Sequence, residues 1–105
     1  MSFNFKALVD GAYGHGASDI HLGENAPAYV RIDGVMRPIA GSMLTREDLQ
    51  GFLNEIMPKR LVHVLAERGG ADFAWQPDAR MRFRVSAYHE RDRLRLVMRL
   101  IKIEI

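Results

Sequence analysis

The chain has 105 residues and a formal net charge of +2, with 48% hydrophobic and 27% charged residues, which is typical of one globular domain with one core. It contains no cysteine, which excludes disulfides and thiolate metal sites. It has no run of about 18 apolar residues that could span a membrane, and no secretory signal pattern at its N-terminus.

The first third of the chain predicts one helix and three strands. Apolar residues recur at helical spacing over Phe3–Tyr13, and Gly14 and Gly16 are expected to end this helix. Short alternating or β-branched segments follow, separated by turn-forming residues. The predicted strands are Ala17–Leu22, Ala28–Ile32 and Val35–Ile39.

The second and third strands are expected to form a hairpin. Asp33-Gly34 is a strong signal for a type I′ turn, because that turn needs positive φ at both central positions. Pro38 cannot donate a ladder hydrogen bond, so we expect the third strand at an edge of the sheet.

Two helices are predicted in the middle of the chain. Thr45 can cap the first, and the acidic residues after it suit the positive end of the helix dipole. Pro58 ends that helix and is expected at the first position of the next, which Gly69-Gly70 terminates. The apolar stripe of the first helix is Leu49, Phe52, Leu53, Ile56 and Met57, and that of the second is Leu61, Val62, Leu65 and Ala66.

The last third predicts three strands. Ala71–Gln76 is the first, and Pro77-Asp78 turns the chain into a hairpin over Arg80–Ile101. Both halves of this hairpin alternate with period two. If Arg91-Asp92 form a two-residue turn, one apolar face results from the pairs Phe83 with Leu100, Val85 with Met98 and Ala87 with Leu96. A shift by one residue would place arginines on that face, whereas a shift by two stays open.

In this register Arg84 lies opposite Arg99, with Arg82 and Arg95 nearby. Residues 80–105 carry eight Lys/Arg and three Asp/Glu, whereas residues 1–79 carry seven and ten. Two interpretations are open. Paired arginines repel each other and could await an anion such as phosphate, or they could be solvated and pair with Asp72, Asp78 or Glu67.

Other chemistry is not indicated. The sequence contains no phosphate-binding loop of the Gly-x4-Gly-Lys-Ser/Thr type. The four histidines are scattered without ligand spacing, so no metal site is expected. His21, beside Asp19, is either a hydrogen-bonding residue at a domain contact or a partly buried structural histidine. A nucleic-acid binder would be basic over a broader surface, and nothing indicates catalysis by this chain alone.

The predicted order is α-β-β-β-α-α-β-β-β. Strands and helices are segregated, which indicates an α+β fold with helices on one face of a mostly antiparallel sheet of about six strands. This order is compatible with a PAS-like layout in a single domain covering residues 1–105.

Six segments in this order resemble the N-terminal domain of the PilT/GspE-like ATPases of twitching motility and type II secretion. Each segment is short, but their order and spacing agree with the family from about residue 3 onward. The segments are Gly16–Leu22 (GASDIHL), Val30–Gly34 (VRIDG), Leu44-Thr45, Ala71–Ala74 (ADFA), Arg82–Ser86 (RFRVS) and Val97–Ile101 (VMRLI).

The resemblance implies a PAS-like domain coupled to a C-terminal RecA-like ATPase domain, in hexamers at the cytoplasmic face of pilus or secretion machinery. ATP and Mg²⁺ would be held in the context of that ATPase domain, and the isolated domain would have no cofactor. Arg84 and Arg99 match the family arginines that reach the phosphates. Asp19, His21, Arg82 and Arg95 are expected at domain or subunit contacts.

The chain stops where the family would continue into the ATPase domain, so we expect an excised domain. The resemblance slightly favours pilus retraction over secretion. The alternative is a stand-alone PAS-like module that binds a small ligand or a protein partner.

Overall fold

The computed structural model describes residues 3–103. Within that range the chain forms six strands, three α-helices and one turn of 3-10 helix at Lys59–Leu61. The helices are α1 (Phe5–Gly14), α2 (Arg46–Ile56) and α3 (Val62–Arg68). The strands are β1 (Asp19–Gly23), β2 (Pro27–Ile32), β3 (Val35–Met43), β4 (Gly70–Asp78), β5 (Met81–Glu90) and β6 (Arg93–Lys102).

The strands form one antiparallel sheet in the order β3-β2-β1-β6-β5-β4. The predicted α+β class and the predicted order of elements are confirmed. β3 lies at one edge, as Pro38 indicated, and the turn before it has positive φ at Asp33 and Gly34. The sheet places β1 between β2 and β6, so the first and last strands pair at its centre.

β3 is longer than predicted and reaches Met43 rather than ending at Ile39. Its register with β2 shifts between Pro27 and Tyr29, so that Met43 pairs with Pro27. The buried Ser42 hydroxyl accepts a hydrogen bond from the Ala28 N–H at 2.9 Å. A polar residue that pairs across an irregularity produces no period-two pattern, which is why the sequence did not indicate this extension.

One face of the sheet packs against the helices and forms the core. Phe83, Val85, Leu96 and Met98 of the β5–β6 hairpin are almost fully buried there. The predicted stripe of α2 is also buried in full. Thr45 caps α2 in a capping box with Asp48, which satisfies backbone N–H groups at the start of the helix.

The predicted apolar stripe of α3 is wrong. Of its four residues only Leu65 is buried, while Val62 is 51% exposed. The chain enters α3 through the 3-10 turn after Pro58, and a 3-10 turn has three residues rather than 3.6. Leu61 is partly buried against the core, whereas Val62 and Ala66 are exposed. Gly69 ends α3 in the left-handed conformation, as predicted.

No helix within residues 3–103 combines the length and the apolar character that crossing a bilayer would need.

Candidate functional site

The β5–β6 hairpin places Arg84 directly opposite Arg99. Arg91 and Asp92 form the two-residue turn, with φ of 52° and 63°. The register pairs Phe83 with Leu100, so the two-residue shift that the pattern left open does not occur. Both arginines alternate with buried residues, and their side chains therefore lie on the face of the sheet away from the helices. We call this face the outer face.

Arg84 and Arg99 belong to a row of charged residues that crosses four neighbouring strands. Arg31 on β2 pairs with Asp19 on β1, Asp19 pairs with Arg99 on β6, and Arg99 pairs with Arg84 on β5. We call Arg31, Asp19, Arg99 and Arg84 the charged row. Neighbouring strands are about 4.8 Å apart, so each charge in the row is close enough to interact with the next.

Asp19 is the only carboxylate of the charged row and is 9% exposed. Its two oxygens lie 3.7 Å from Arg31 Nε and 3.6 Å from Arg99 Nε. The Ser18 hydroxyl donates a hydrogen bond to Asp19 at 2.7 Å. The Arg99 side chain is 73% exposed, so its pair with Asp19 is loose and open to water.

The carboxylates that the sequence suggested as partners for these arginines are not their partners. Within residues 3–103, Arg84 forms no ion pair, and neither Asp72 nor Glu67 forms one with any residue. Asp78 instead binds Arg80 at 2.7 Å, at the turn between β4 and β5. The sequence did not indicate Asp19 as a partner of Arg99, because the two residues are far apart in the chain and meet only through the pairing of β1 with β6.

The outer face contains an open depression of about 680 Å³ over β4, β5 and β6. Three arginines and two aspartates contribute to its lining, so its charge is net positive. Its volume is in the range of small-molecule sites, roughly 300–1,000 Å³. The charged lining residues are Arg82, Arg84, Arg99, Asp19 and Asp72.

The structure thus brings together four of the six residues that the sequence singled out and places the other two beside them. His21 is half-buried in the next row of the outer face, opposite Tyr29 on β2 and Val97 on β6. Arg95 binds Glu90 at 3.0 Å and covers Gly23, where an added Cβ would come within 2.6 Å of its guanidinium. His21 and Arg95 line a separate small pocket.

Guanidinium groups suit an anionic ligand such as phosphate, because they donate paired hydrogen bonds in a fixed plane. Within residues 3–103 no group of three or more His, Asp or Glu side chains is arranged to hold a metal ion. The outer face therefore offers donors for an anion.

Sequence reasoning assigned Asp19 to a domain contact and did not assign Arg31 to the site. The alternation of Asp19 and His21 with buried Ile20 and Leu22 shows that both polar residues share one face of β1. The order of strands in the sheet, which puts Asp19 between two arginines, has no local sequence signal.

Comparisons with known proteins identify similar chains. No protein-family model matches. The type IV pilus retraction ATPase PilT of Pseudomonas aeruginosa is 31% identical over 75 residues, which cover 71% of this chain and 22% of that protein. The crystal structure of the pilus retraction motor PilT with bound ADP aligns with a TM-score of 0.87 and 31% identity, over 99% of this chain and 31% of that one.

Two solved structures share the fold at lower identity. The ATPase DotB of Legionella pneumophila aligns with a TM-score of 0.79 and 20% identity, over 96% of this chain and 30% of that one. The ATPase DotB of Yersinia pseudotuberculosis aligns with a TM-score of 0.72 and 18% identity, over 95% of this chain and 31% of that one. The chain spans about a fifth of the length of the curated relative and about a third of each solved chain.

Proposed function

We propose that this chain contributes Arg84 and Arg99 to the phosphates of an ATP held by a RecA-like ATPase domain. The basis is that the chain is a PilT/GspE-like N-terminal domain in sequence and fold. The parent protein would be a hexameric motor of pilus retraction or, alternatively, of type II secretion. In that motor the domain would couple the state of the nucleotide to the rotation of one domain against the other.

The observation that carries this proposal is the pairing of Arg84 with Arg99 on the outer face. Two guanidinium groups directly opposite each other repel and destabilise the sheet. Arg84 also has no ion-pair partner within the described residues. An arriving polyphosphate would offset both charges at once. The solved PilT structure contains ADP, which supports the use of a nucleotide by a similar protein.

The residues of this chain fit the phosphates of such a ligand but not its metal. When bound, the magnesium nucleotide supplies the γ-phosphoryl group that is transferred to water. Arg84 and Arg99 would bind the phosphate oxygens and neutralise the charge that develops on them in the transition state. Any magnesium ligands from protein would come from outside the described residues, which hold no metal-binding cluster.

Both arginines are exposed on an open face, so their contacts with a nucleotide on another domain would form only when the two domains close. Closure would therefore depend on the number of phosphates present. Arg82, which lines the same depression, would lie at the edge of that contact and bind the neighbouring domain. His21 and Arg95 remain predicted contact residues beside it.

To test the proposal, we would join this chain to the ATPase domain of a PilT-type motor and measure ATP turnover. We expect Arg84→Ala and Arg99→Ala each to lower kcat by roughly 100-fold, because preorganised donors to a developing charge contribute about that much. Lysine at either position should restore only part of the rate, since it lacks the planar fork.

The control is Arg68→Ala, which removes an exposed arginine from α3 on the opposite side of the domain. This variant should turn over ATP at the rate of the parent chimaera. If Arg84→Ala and Arg99→Ala also retain that rate, the two arginines do not act on the phosphates and the proposal fails.

One observation favours the alternative of a ligand-binding module. An apolar groove of about 450 Å³ lies between α1 and strands β2 and β3, lined by Leu8, Val30, Ile32 and Ile39 among others. A small apolar ligand in this groove would remain bound during gentle purification. Native mass spectrometry that finds only the mass of the chain would argue against this second function.

A further inference from the structure

Asp19 is a buried carboxylate with arginines on both neighbouring strands. It is 9% exposed and lies on the central strand β1, with an arginine on each adjacent strand. The Ser18 hydroxyl donates to it, and Arg31 Nε lies 3.7 Å away. Asp19 therefore keeps two compensating groups even if Arg99 moves away.

Arg99 is the loosely held member of the charged row. Its Nε is 3.6 Å from Asp19, its side chain is 73% exposed, and the Arg31 side chain on the other side is 40% exposed. An ion pair at this distance is weak when its arginine lies mostly in water. Arg99 can therefore leave Asp19 at little cost when a more highly charged anion approaches.

The position of Asp19 also decides which way Arg99 points. Arg84 and Arg99 are directly opposite and repel each other, and Asp19 attracts Arg99 toward the β1 side, away from Arg84. An anion between the two arginines would compete with Asp19 for Arg99. Arg84 has no such competitor among the described residues.

We infer that Asp19 is a positioning residue that holds Arg99 in the anion-free domain and releases it to the phosphates. This inference rests on the proposed function of Arg84 and Arg99. Arg84 is then available to any phosphate that reaches the outer face, whereas Arg99 is available only after it leaves Asp19. Asp19 lowers the affinity of the site for any anion, so a polyphosphate displaces it more effectively than a singly charged ion does.

The test uses this 105-residue chain and inorganic tripolyphosphate at low ionic strength, followed by NMR of the arginine Nε–H groups. Asp19→Asn removes the charge of Asp19 and keeps its shape. We expect it to raise tripolyphosphate affinity roughly two- to fivefold, as the loss of a weak competing pair implies. The Arg99 Nε–H resonance should shift in this variant even without anion, whereas that of Arg84 should not.

Asp72→Asn is the matched control. Asp72 lines the same depression but forms no ion pair within residues 3–103, and its replacement changes the net charge by the same amount. We expect it to raise affinity by less than half as much. In the double variant Asp19→Asn with Arg99→Ala, the gain from Asp19→Asn should disappear.

A second variant keeps the inference testable if Asp19→Asn folds poorly. Arg31→Gln removes one of the two arginines near Asp19, so Asp19 interacts with Arg99 alone and competes more strongly with the anion for it. We expect this variant to lower tripolyphosphate affinity, whereas Arg37→Gln on the exposed edge strand should not. Equal effects of these two variants overturn the inference.

The outcomes separate the inference from the proposed function. Equal gains from Asp19→Asn and Asp72→Asn, or an unmoved Arg99 resonance in Asp19→Asn, overturn the role of Asp19 and leave the phosphate site in place. Tripolyphosphate binding that survives both Arg84→Ala and Arg99→Ala, or no binding by any variant, overturns the phosphate site and the inference together.

Discussion

Glu24 is a buried carboxylate that is stabilised by hydrogen bonds from other parts of the domain. Its side chain is 6% exposed and accepts hydrogen bonds from the Leu94 backbone N–H and from Arg46 Nε at 3.1 Å. Arg46 in turn donates to the Asp92 carbonyl at 2.7 Å. The β1–β2 loop, the start of α2 and the β5–β6 turn are therefore joined through one carboxylate.

We predict that Glu24→Ala lowers the urea midpoint of unfolding well beyond the effect of Arg46→Ala. Removing Glu24 leaves the Leu94 N–H without its partner, which is costly for a buried donor. Removing Arg46 loses a pair that is 61% exposed on the arginine side, which contributes about 1 kcal/mol or less. Equal midpoints for the two variants, measured by circular dichroism, would contradict this account.

The β5–β6 hairpin is the element on which the site depends. Its ten cross-strand pairs run without an irregularity, and they place Val85 and Met98 on the core face and Arg84 and Arg99 on the outer face. Its turn is less favourable than its strands, because Arg91 and Asp92 both have positive φ. Arginine is a poor residue for that conformation, whereas asparagine and glycine are the usual residues of a type I′ turn.

We predict that replacing Arg91-Asp92 by Asn-Gly raises the free energy of unfolding by about 1 kcal/mol, because it relieves the left-handed conformation of two side-chain-bearing residues. The Asp92 carbonyl that Arg46 binds belongs to the backbone and is kept. The measurement is a denaturant titration of both proteins.

The matched control is Asp33→Asn in the other type I′ turn, where Gly34 is already present. It should change the free energy of unfolding by less than about 0.5 kcal/mol. A turn replacement at residues 91 and 92 that destabilises the domain would show that the native turn residues are needed for contacts rather than for conformation.

At the scale of the whole molecule, several carboxylates are held in the ionised form by hydrogen bonds that the folded chain forms. The pKa of Glu24 is lowered, chiefly by the hydrogen bond from the Leu94 N–H. The pKa values of Asp10, Asp48 and Asp78 are lowered by hydrogen bonds from Lys6, from the Thr45 backbone and from Arg80, respectively. Folding therefore favours the deprotonated form of each.

We predict that the domain loses stability in acid. A carboxyl whose pKa is lower when folded stabilises the protein above its unfolded pKa, and that contribution is lost as the pH falls through the folded value. Ordinary values are 3.8 for Asp and 4.5 for Glu, so the urea midpoint should be nearly constant between about pH 7 and pH 5 and fall below about pH 4.5.

The control for this prediction is Glu24→Gln, which removes one of the titrating groups. Its urea midpoint should fall less between pH 5 and pH 3 than that of the unaltered chain. A midpoint that stays constant or rises toward pH 3 would show that these contacts do not contribute to folding.

The sequence predicted more of the hairpin than of the sheet around it. The opposition of Arg84 and Arg99 followed from period-two alternation and a two-residue turn, and it is confirmed. The buried stripe of α2 and the Thr45 cap were predicted for the same local reason. The stripe of α3 was wrong at Val62 and Ala66, which are exposed. Residues 59–61 form a 3-10 turn, whose period of three differs from the helical spacing that the apolar pattern assumed.

The sequence by itself determined which face of the hairpin is buried, because a shift by one residue would place arginines on the apolar face. It predicted Arg84 opposite Arg99 for a two-residue turn at Arg91-Asp92, and the structure excluded the shift by two residues that the pattern left open. Only the tertiary structure decided that Asp19 lies between Arg31 and Arg99. That neighbourhood depends on β1 entering the sheet between β2 and β6, which joins residues about 80 positions apart. Such pairing follows from the packing of the whole core, and no local period specifies it.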